Sequence, residues 1–167
     1  MSGVVVWLTG LPSSGKSTLA RAAAERLRGV GSSVAVLDGD EVRAVLRPVP
    51  GYDDTARADF YASLAGLAAL LAQQGLVVLV PATANRASFR AHARELAPRF
   101  LEVYVATPID VCVRRDDKGL YARSAAGAIG AMPGVGASYE PPTHPDLVVD
   151  GSEADLARLV EACRAAG

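Results

Sequence analysis

Five short valine-rich runs alternate along the chain with longer alanine-rich segments, and this alternation constrains the fold more than any other feature. The runs are almost continuously apolar, which is typical of strands buried on both faces of a parallel sheet. The order therefore predicts an α/β fold, a five-stranded parallel sheet flanked by helices. The predicted strands are residues 4–9, 33–38, 76–81, 100–107 and 146–150. The predicted helices are residues 16–28, 40–47, 55–74, 87–97, 108–115 and 153–166.

The length of 167 residues predicts a single domain over residues 1–167, and half of the residues are hydrophobic, which is enough for a sizeable core. A net charge of −1 argues against a nucleic-acid or anionic-membrane binder, because such proteins normally have a basic face. Cys112 and Cys163 lie far apart and without metal-ligand spacing, which indicates reduced thiols. With no signal-peptide pattern and no long apolar span, we expect a cytoplasmic protein.

Residues 117–145 do not fit the alternation, since this stretch is long, irregular and rich in glycine and proline. Long irregular segments inside a compact domain are usually functional lids or disordered insertions. Because the segment lies between two predicted strands, we interpret residues 116–137 as a lid over a binding site.

The stretch "LTGLPSSGKSTL" joins the first predicted strand to the first predicted helix, and Gly10, Gly15, Lys16 and Ser17 match the Walker A pattern G-x-x-x-x-G-K-(S/T). Glycines let the backbone curl so that successive N–H groups face an anion, and the helix N-terminus adds positive potential. The pattern predicts that Lys16 reaches the β- and γ-phosphates of ATP and that the Ser17 hydroxyl is a ligand of Mg²⁺. The alternative, a glycine-rich turn with a solvated lysine, does not explain the flanking strand and helix. The predicted nucleotide-binding residues in this loop are Gly10, Leu11, Pro12, Ser13, Ser14, Gly15, Lys16, Ser17 and Thr18.

Two carboxylates and an arginine follow the second predicted strand in "LDGDEVR". The carboxyl ends of parallel strands meet at one edge of the sheet, so Asp38, Asp40 and Arg43 are expected near the phosphate-binding loop. Phosphoryl transfer to a hydroxyl needs a carboxylate to take or orient the proton, and Asp40 suits that role. Arg43 lies one helical turn further and is placed to bind a phosphate or sulfate. The alternative is that these residues are helix-capping acids and a surface arginine.

Four stretches together, "VVVWLTGLPSSGKSTLA", "LDGDEVR", "RDDKGLY" and "YEPPTHPDLVVD", resemble the adenylylsulfate kinase (APS kinase) family. The resemblance extends from Val4 to Asp150, and its lid phrases are more specific than the phosphate-binding loop. It implies a P-loop kinase fold and a transferase that moves the γ-phosphate of ATP to the ribose 3′-hydroxyl of adenylyl sulfate. It also implies Mg²⁺ as a cofactor and suggests a homodimer.

The resemblance assigns roles to residues beyond the motifs. It implies that Arg43 and Arg57 bind the phosphosulfate group and that Tyr52 replaces a phenylalanine that stacks on the acceptor adenine. Arg115 would lie near the nucleotide base, and Lys118 would be the lid lysine that contacts the acceptor. The implied acceptor-site residues are Asp38, Gly39, Asp40, Arg43, Tyr52, Arg57, Lys118, Gly119, Leu120 and Met132.

The acceptor side also departs from the family pattern. Where the family has an Asn-Ile-Arg-Arg phrase, this chain has "FYAS" from Phe60 to Ser63, and Met132 replaces a second stacking phenylalanine. The family's Ile-Ser-Pro-Tyr-Arg phrase is shortened to "TANR", in which Arg86 survives. These changes leave two alternatives open: a related kinase that phosphorylates a different hydroxyl, and a nucleotide-binding protein without turnover.

Overall fold

The computed structural model describes residues 3–116, 118–127, 132–134 and 136–167. The strands are β1 (Val4–Thr9), β2 (Val34–Val36), β3 (Val77–Pro81), β4 (Phe100–Val105), β5 (Met132–Pro133), β6 (Gly136–Ala137) and β7 (Leu147–Val149). The helices are α1 (Lys16–Gly29), α2 (Gly39–Val45), α3 (Asp54–Gln73), α4 (Ala87–Leu96), α5 (Ile109–Arg115), α6 (Leu120–Ala125) and α7 (Glu153–Ala166). No helix within the described ranges is long and apolar enough to cross a membrane.

The main sheet has five strands in the order β2-β3-β1-β4-β7, and all of its neighbouring strands run parallel. This confirms the predicted five-stranded parallel sheet. The predicted strands 33–38 and 100–107 are longer than β2 and β4, which end at Val36 and Val105. The loops that follow β1, β2, β3 and β4 all lie at that edge, which positions the candidate site.

The central strand β1 is buried along its whole length, with side chains that alternate between two hydrophobic cores. Val4, Val6 and Leu8 pack in the core formed with α1 and α7, whereas Val5 and Trp7 pack in the core formed with α3 and α4. Side chains of a strand point alternately to opposite faces, so a strand between two helical layers must be apolar at every position. This explains the continuous valine run at the start of the chain.

The lid segment contains a short helix and a small two-stranded sheet that the sequence pattern did not predict. Helix α6 follows Gly119, and β5 pairs with β6 in parallel. The proposed lid, residues 116–137, includes residues 117, 128–131 and 135, which lie outside the described residues.

Candidate active site

The phosphate loop (residues 10–17) joins β1 to α1 and requires glycine at its first position. A Cβ atom on Gly10 would lie 2.6 Å from the carbonyl oxygen of Val105 and 2.9 Å from Oγ of Ser14, so no side chain fits there. Gly15 has φ of 97° at the helix N-cap, in the left-handed region that glycine adopts without strain. Steric constraints of this backbone therefore explain why both positions of the motif are glycine.

Side-chain donors hold the outward carbonyl groups of the phosphate loop. Nζ of Lys16 donates to the carbonyl oxygens of Gly10 at 2.9 Å and Leu11 at 2.7 Å. The hydroxyl of Tyr121 donates to the carbonyl of Pro12 at 2.8 Å, and that of Thr107 donates to Ser14 at 2.7 Å. Sequence reasoning missed Tyr121 and Thr107, and only the family lid phrase that contains Tyr121 offered a signal.

Lys16 is buried against the loop, with 8% of its surface exposed. Burial penalises the charged ammonium group and lowers the pKa of Lys16 from 10.5 to about 8. The carboxylates of Asp40 and Asp38 oppose this shift without reversing it. The lysine therefore lies where an approaching polyphosphate would attract its ammonium group and raise its pKa.

Asp38 connects the phosphate loop to the start of α2. One of its carboxylate oxygens accepts a hydrogen bond from Oγ of Ser17, and the other accepts the backbone N–H of Asp40 at 3.0 Å. Asp38 is thus the N-cap of α2, as the structural alternative proposed, and it is also a neighbour of the predicted Mg²⁺ ligand. Gly39 is buried beside it, and a Cβ at that position would lie 3.1 Å from Cβ of Ala82.

Asp40 lies on the first turn of α2, and Lys118 of the lid segment donates a hydrogen bond to its carboxylate. The hydrogen bond to Asp40 raises the pKa of Lys118 above its ordinary value. Gly119, with φ of 63°, is the N-cap of α6 directly after this contact. The structure therefore brings together the predicted base and the predicted lid lysine.

Arg43 is buried between two aromatic rings. The guanidinium carbon lies 4.4 Å from the ring centroid of Tyr52 and 4.0 Å from that of Phe60. Nη1 also donates to the backbone carbonyls of Pro50 and Gly51, at 3.3 and 2.8 Å. The sequence predicted Arg43 and Tyr52 as acceptor residues but identified Phe60 only as a departure from the family pattern. Here Phe60 orients the arginine.

The remaining predicted site residues fall into two groups. Beside the phosphate loop, Met132 is buried with Cys112 and Tyr121, and Leu11 and Leu120 pack against them. The side chain of Met132, which was predicted to contact the acceptor, packs here against other side chains of the protein. On the other side of the site, Arg57 is half-buried on α3.

Two predicted nucleotide contacts lie along the edge of the phosphate loop. Arg115 extends toward the loop, with Nη1 3.8 Å from the position that a Cβ of Gly15 would occupy. Thr18 is exposed in the first turn of α1. Their contacts with a nucleotide remain predictions.

Arg90 holds the loop after β3, which contains the shortened "TANR" phrase. This buried guanidinium donates to the carbonyl oxygens of Ala84 and Glu140, both at 2.6 Å, and to the carboxylate of Glu102 at 2.7 Å. Ala84 has a positive φ of 42°. One side chain on α4 therefore fixes both the acceptor-side loop and the segment by which the chain leaves the lid.

Comparison with known proteins agrees with this geometry. The chain matches the family described as adenylylsulphate kinase over residues 2–150. It is 45% identical over 146 residues to the adenylyl-sulfate kinase of Chloroflexus aurantiacus, covering 87% of this chain and 78% of that protein. It is 39% identical over 152 residues to the probable adenylyl-sulfate kinase of Pyrococcus abyssi, covering 91% of this chain and 87% of that protein.

A solved structure gives the same result for the fold. The structure of the Mycobacterium tuberculosis APS kinase CysC in complex with AMPPNP and APS superposes with a TM-score of 0.91, at 39% identity and with 99% of both chains covered. The P-loop kinase fold and the resemblance predicted from the motifs are both confirmed. The chain therefore belongs to the adenylylsulphate kinase family, whose members are ATP-dependent phosphotransferases with an alcohol group as acceptor.

Proposed function

We propose that this chain transfers the γ-phosphate of ATP to the ribose 3′-hydroxyl of adenylyl sulfate. The observation that carries the proposal is the convergence of three segments at the carboxyl edge of the sheet. Ser17 of the phosphate loop contacts Asp38, Asp38 caps the helix that bears Asp40, and Asp40 pairs with lid residue Lys118. A relative of 39% identity whose structure contains both AMPPNP and APS supports the same pair of ligands.

On the donor side, the phosphate loop would hold the triphosphate with its N–H groups and the N-terminus of α1. Lys16 would exchange its contacts with the carbonyls of Gly10 and Leu11 for the β- and γ-phosphates. The hydroxyl of Ser17 and the carboxylate of Asp38 already lie in contact, and both are oxygen ligands of the kind that Mg²⁺ prefers. Mg²⁺ held there would neutralise negative charge on the phosphate oxygens.

On the acceptor side, Asp40 would orient the 3′-hydroxyl and accept its proton. As the hydroxyl oxygen bonds to the γ-phosphorus, the bond from that phosphorus to the bridging oxygen breaks and ADP leaves. Lys118 would move from Asp40 toward the more strongly charged phosphates, which frees the carboxylate to act as the base. Arg43, fixed between two rings, would bind an anionic group of the acceptor.

The test is ATP consumption with adenylyl sulfate, compared with a panel of nucleosides, nucleotides and hydroxyl-bearing metabolites. Saturable turnover of adenylyl sulfate at micromolar levels, absent from Lys16→Ala, is the expected result. Lys16→Ala should lose nucleotide binding together with activity, so it separates this enzyme from a contaminating kinase. Preference for another member of the panel would contradict the proposed acceptor.

A related kinase with a different acceptor is the second candidate, and the uncharged stretch from Phe60 to Ser63 on α3 favours it. Phe60 and Tyr61 are buried with 3% and 9% of their surface exposed, in the stretch where the family has its Asn-Ile-Arg-Arg phrase. Tyr61 stacks on Phe89 at 4.9 Å between ring centroids. Residues 60–63 carry no charge where the family has two arginines, which suits a less anionic acceptor. Stabilisation by ATP without consumption on any acceptor would instead support the non-catalytic alternative.

We also propose that the chain forms a homodimer and acts in the cytoplasm. The family resemblance supports the first, and two free, buried thiols, Cys112 and Cys163, agree with a reducing compartment. Sedimentation equilibrium would test the assembly and cell fractionation the location. A monomer at micromolar concentration would contradict the homodimer.

A further inference from the structure

Tyr121 is buried although it lies on the outer helix of the lid segment. It is 3% exposed, and its hydroxyl donates to the carbonyl of Pro12, 109 positions away, at 2.8 Å. Its ring packs with Cys112 and Met132. This residue therefore joins α6 directly to the phosphate loop, a contact that neither the motif nor the proposed chemistry explains.

The far end of the lid segment meets the same cluster. A Cβ on Gly134 would lie 3.4 Å from Cδ2 of Leu11 and 3.7 Å from Cε1 of Tyr121. The same Cβ would lie 3.0 Å from Cδ1 of Ile109, and Gly134 has φ of 87°, in the left-handed region that favours glycine. The two described ends of the lid thus rest on one cluster that includes a phosphate-loop side chain.

The carbonyls of the phosphate loop explain what Tyr121 does. A loop that points its N–H groups at an anion turns its carbonyls outward, where each needs a donor. Lys16 donates hydrogen bonds to two of these carbonyls, but we expect it to exchange them for the phosphates when nucleotide binds. The hydrogen bonds from Tyr121 to the Pro12 carbonyl and from Thr107 to the Ser14 carbonyl are expected to remain. Thr107 follows β4 at the carboxyl edge of the sheet. Tyr121 belongs to the lid.

We propose that Tyr121 is a positioning residue that couples the phosphate loop to the lid. When nucleotide occupies the loop, the Pro12 carbonyl holds α6 and therefore holds Lys118, three residues before Tyr121, within reach of the γ-phosphate. The carboxylate of Asp116 fixes the first turn of α6, because it accepts the N–H groups of Tyr121 and Ala122 at 3.1 Å each. The inference rests on the proposed function, since it needs ATP in the loop.

The test compares Tyr121→Phe with the matched variant Thr107→Val. Each removes one hydroxyl donor from a phosphate-loop carbonyl, but one donor comes from the lid and the other from the sheet edge. We measure kcat, the KM for adenylyl sulfate, affinity for the non-hydrolysable analogue AMPPNP, and hydrogen exchange of residues 120–125 with and without AMPPNP. An unpaired, partly buried carbonyl is expected to weaken AMPPNP binding about tenfold in both variants.

The coupling predicts a difference between the two variants. In Tyr121→Phe, kcat falls about tenfold further than in Thr107→Val, KM for the acceptor stays within about twofold, and AMPPNP no longer slows exchange in α6. In Thr107→Val, that protection remains. Normal protection of α6 in Tyr121→Phe, or a lowered melting temperature with unchanged kcat, would overturn the inference and assign Tyr121 a structural role alone.

Wild-type protein provides a measurement that needs no variant. AMPPNP binding should slow exchange in α6 of the wild type, and no change there would overturn the inference even if Tyr121→Phe cannot be purified. Absence of AMPPNP binding to the wild type would instead overturn the proposed function, so the two failures are distinguishable.

Discussion

Lys118 of the lid segment donates a hydrogen bond to the carboxylate of Asp40, the predicted catalytic base. The two side chains are 59% and 69% exposed. Ion pairs this exposed contribute only about 0–1 kcal/mol to the free energy of unfolding. Stability therefore does not explain the pair, whereas the predicted roles of Asp40 as the base and Lys118 as the lid lysine account for it.

Replacing Lys118 with methionine should reduce catalysis without destabilising the fold. Loss of a cation that meets the developing charge predicts a fall in kcat of about 100-fold. The exposed pair predicts a change in Tm of no more than about 3 °C. Steady-state kinetics and thermal melts check both, with Arg114→Met as the control, because Arg114 forms an exposed pair with Asp110 on α5. A large fall in Tm with normal kcat would contradict this role.

Asp40→Asn should separate proton transfer from nucleotide binding. The amide has the size of the carboxylate but accepts no proton, so kcat should fall by about 10²- to 10⁴-fold. AMPPNP affinity, measured by calorimetry, should change less than about threefold. Glu41→Gln is the matched control, since Glu41 is the next residue and pairs with Arg21 at 2.6 Å on the exposed side of α2. Equal losses of activity in the two variants would mean that general acidity of this helix matters and not Asp40 itself.

The parts of the fold that sequence predicted well are those set by local pattern and burial. The predicted strand 4–9 coincides with β1, because a central strand is apolar at every position. The predicted helix 153–166 coincides with α7, where Ser152 caps the first turn. Helix α6 was missed because its six residues carry no amphipathic period and depend on contacts of Asp116 and Tyr121.

In the candidate site, too, some features could be predicted from the sequence and others could not. The positions of the phosphate loop and Asp38 could be predicted from the sequence. A strand, a glycine-rich loop and a helix in that order form a Walker A loop, and the carboxyl ends of parallel strands lie at one edge of the sheet. The partners of Arg43 and Arg90 could not be predicted, because Phe60 reaches Arg43, and Glu140 reaches Arg90, only after distant elements pack. In the structure Phe60 is buried against Arg43, the arginine predicted to bind the acceptor.

Nucleotide affinity should fall as pH rises through the pKa of Lys16. Burial lowers that pKa to about 8 in the free protein, and bound phosphates raise it, so binding takes up a proton above pH 8. From pH 7.5 to 9 the affinity for AMPPNP should weaken about tenfold. Lys118 does not contribute, since its pKa is raised. Calorimetry in buffers of different ionisation enthalpy would detect the proton, and Lys16→Ala should show no such dependence. An AMPPNP affinity of the wild type that does not change with pH would contradict the loss of the Lys16 proton in this range.

Arg90→Met should destabilise the fold more than any exposed charge does. The substitution leaves the carboxylate of Glu102, which is 14% exposed, and the carbonyls of Ala84 and Glu140 without this donor. Removing one partner of a buried pair predicts a loss of about 3–5 kcal/mol in the free energy of unfolding, measured by urea denaturation. Arg94→Met is the matched control: Arg94 lies one turn further along α4, is 46% exposed and pairs with Asp146 at 3.0 Å, so about 1 kcal/mol or less is expected. Similar losses in the two variants would show that Arg90 does not hold the acceptor-side loop through buried contacts.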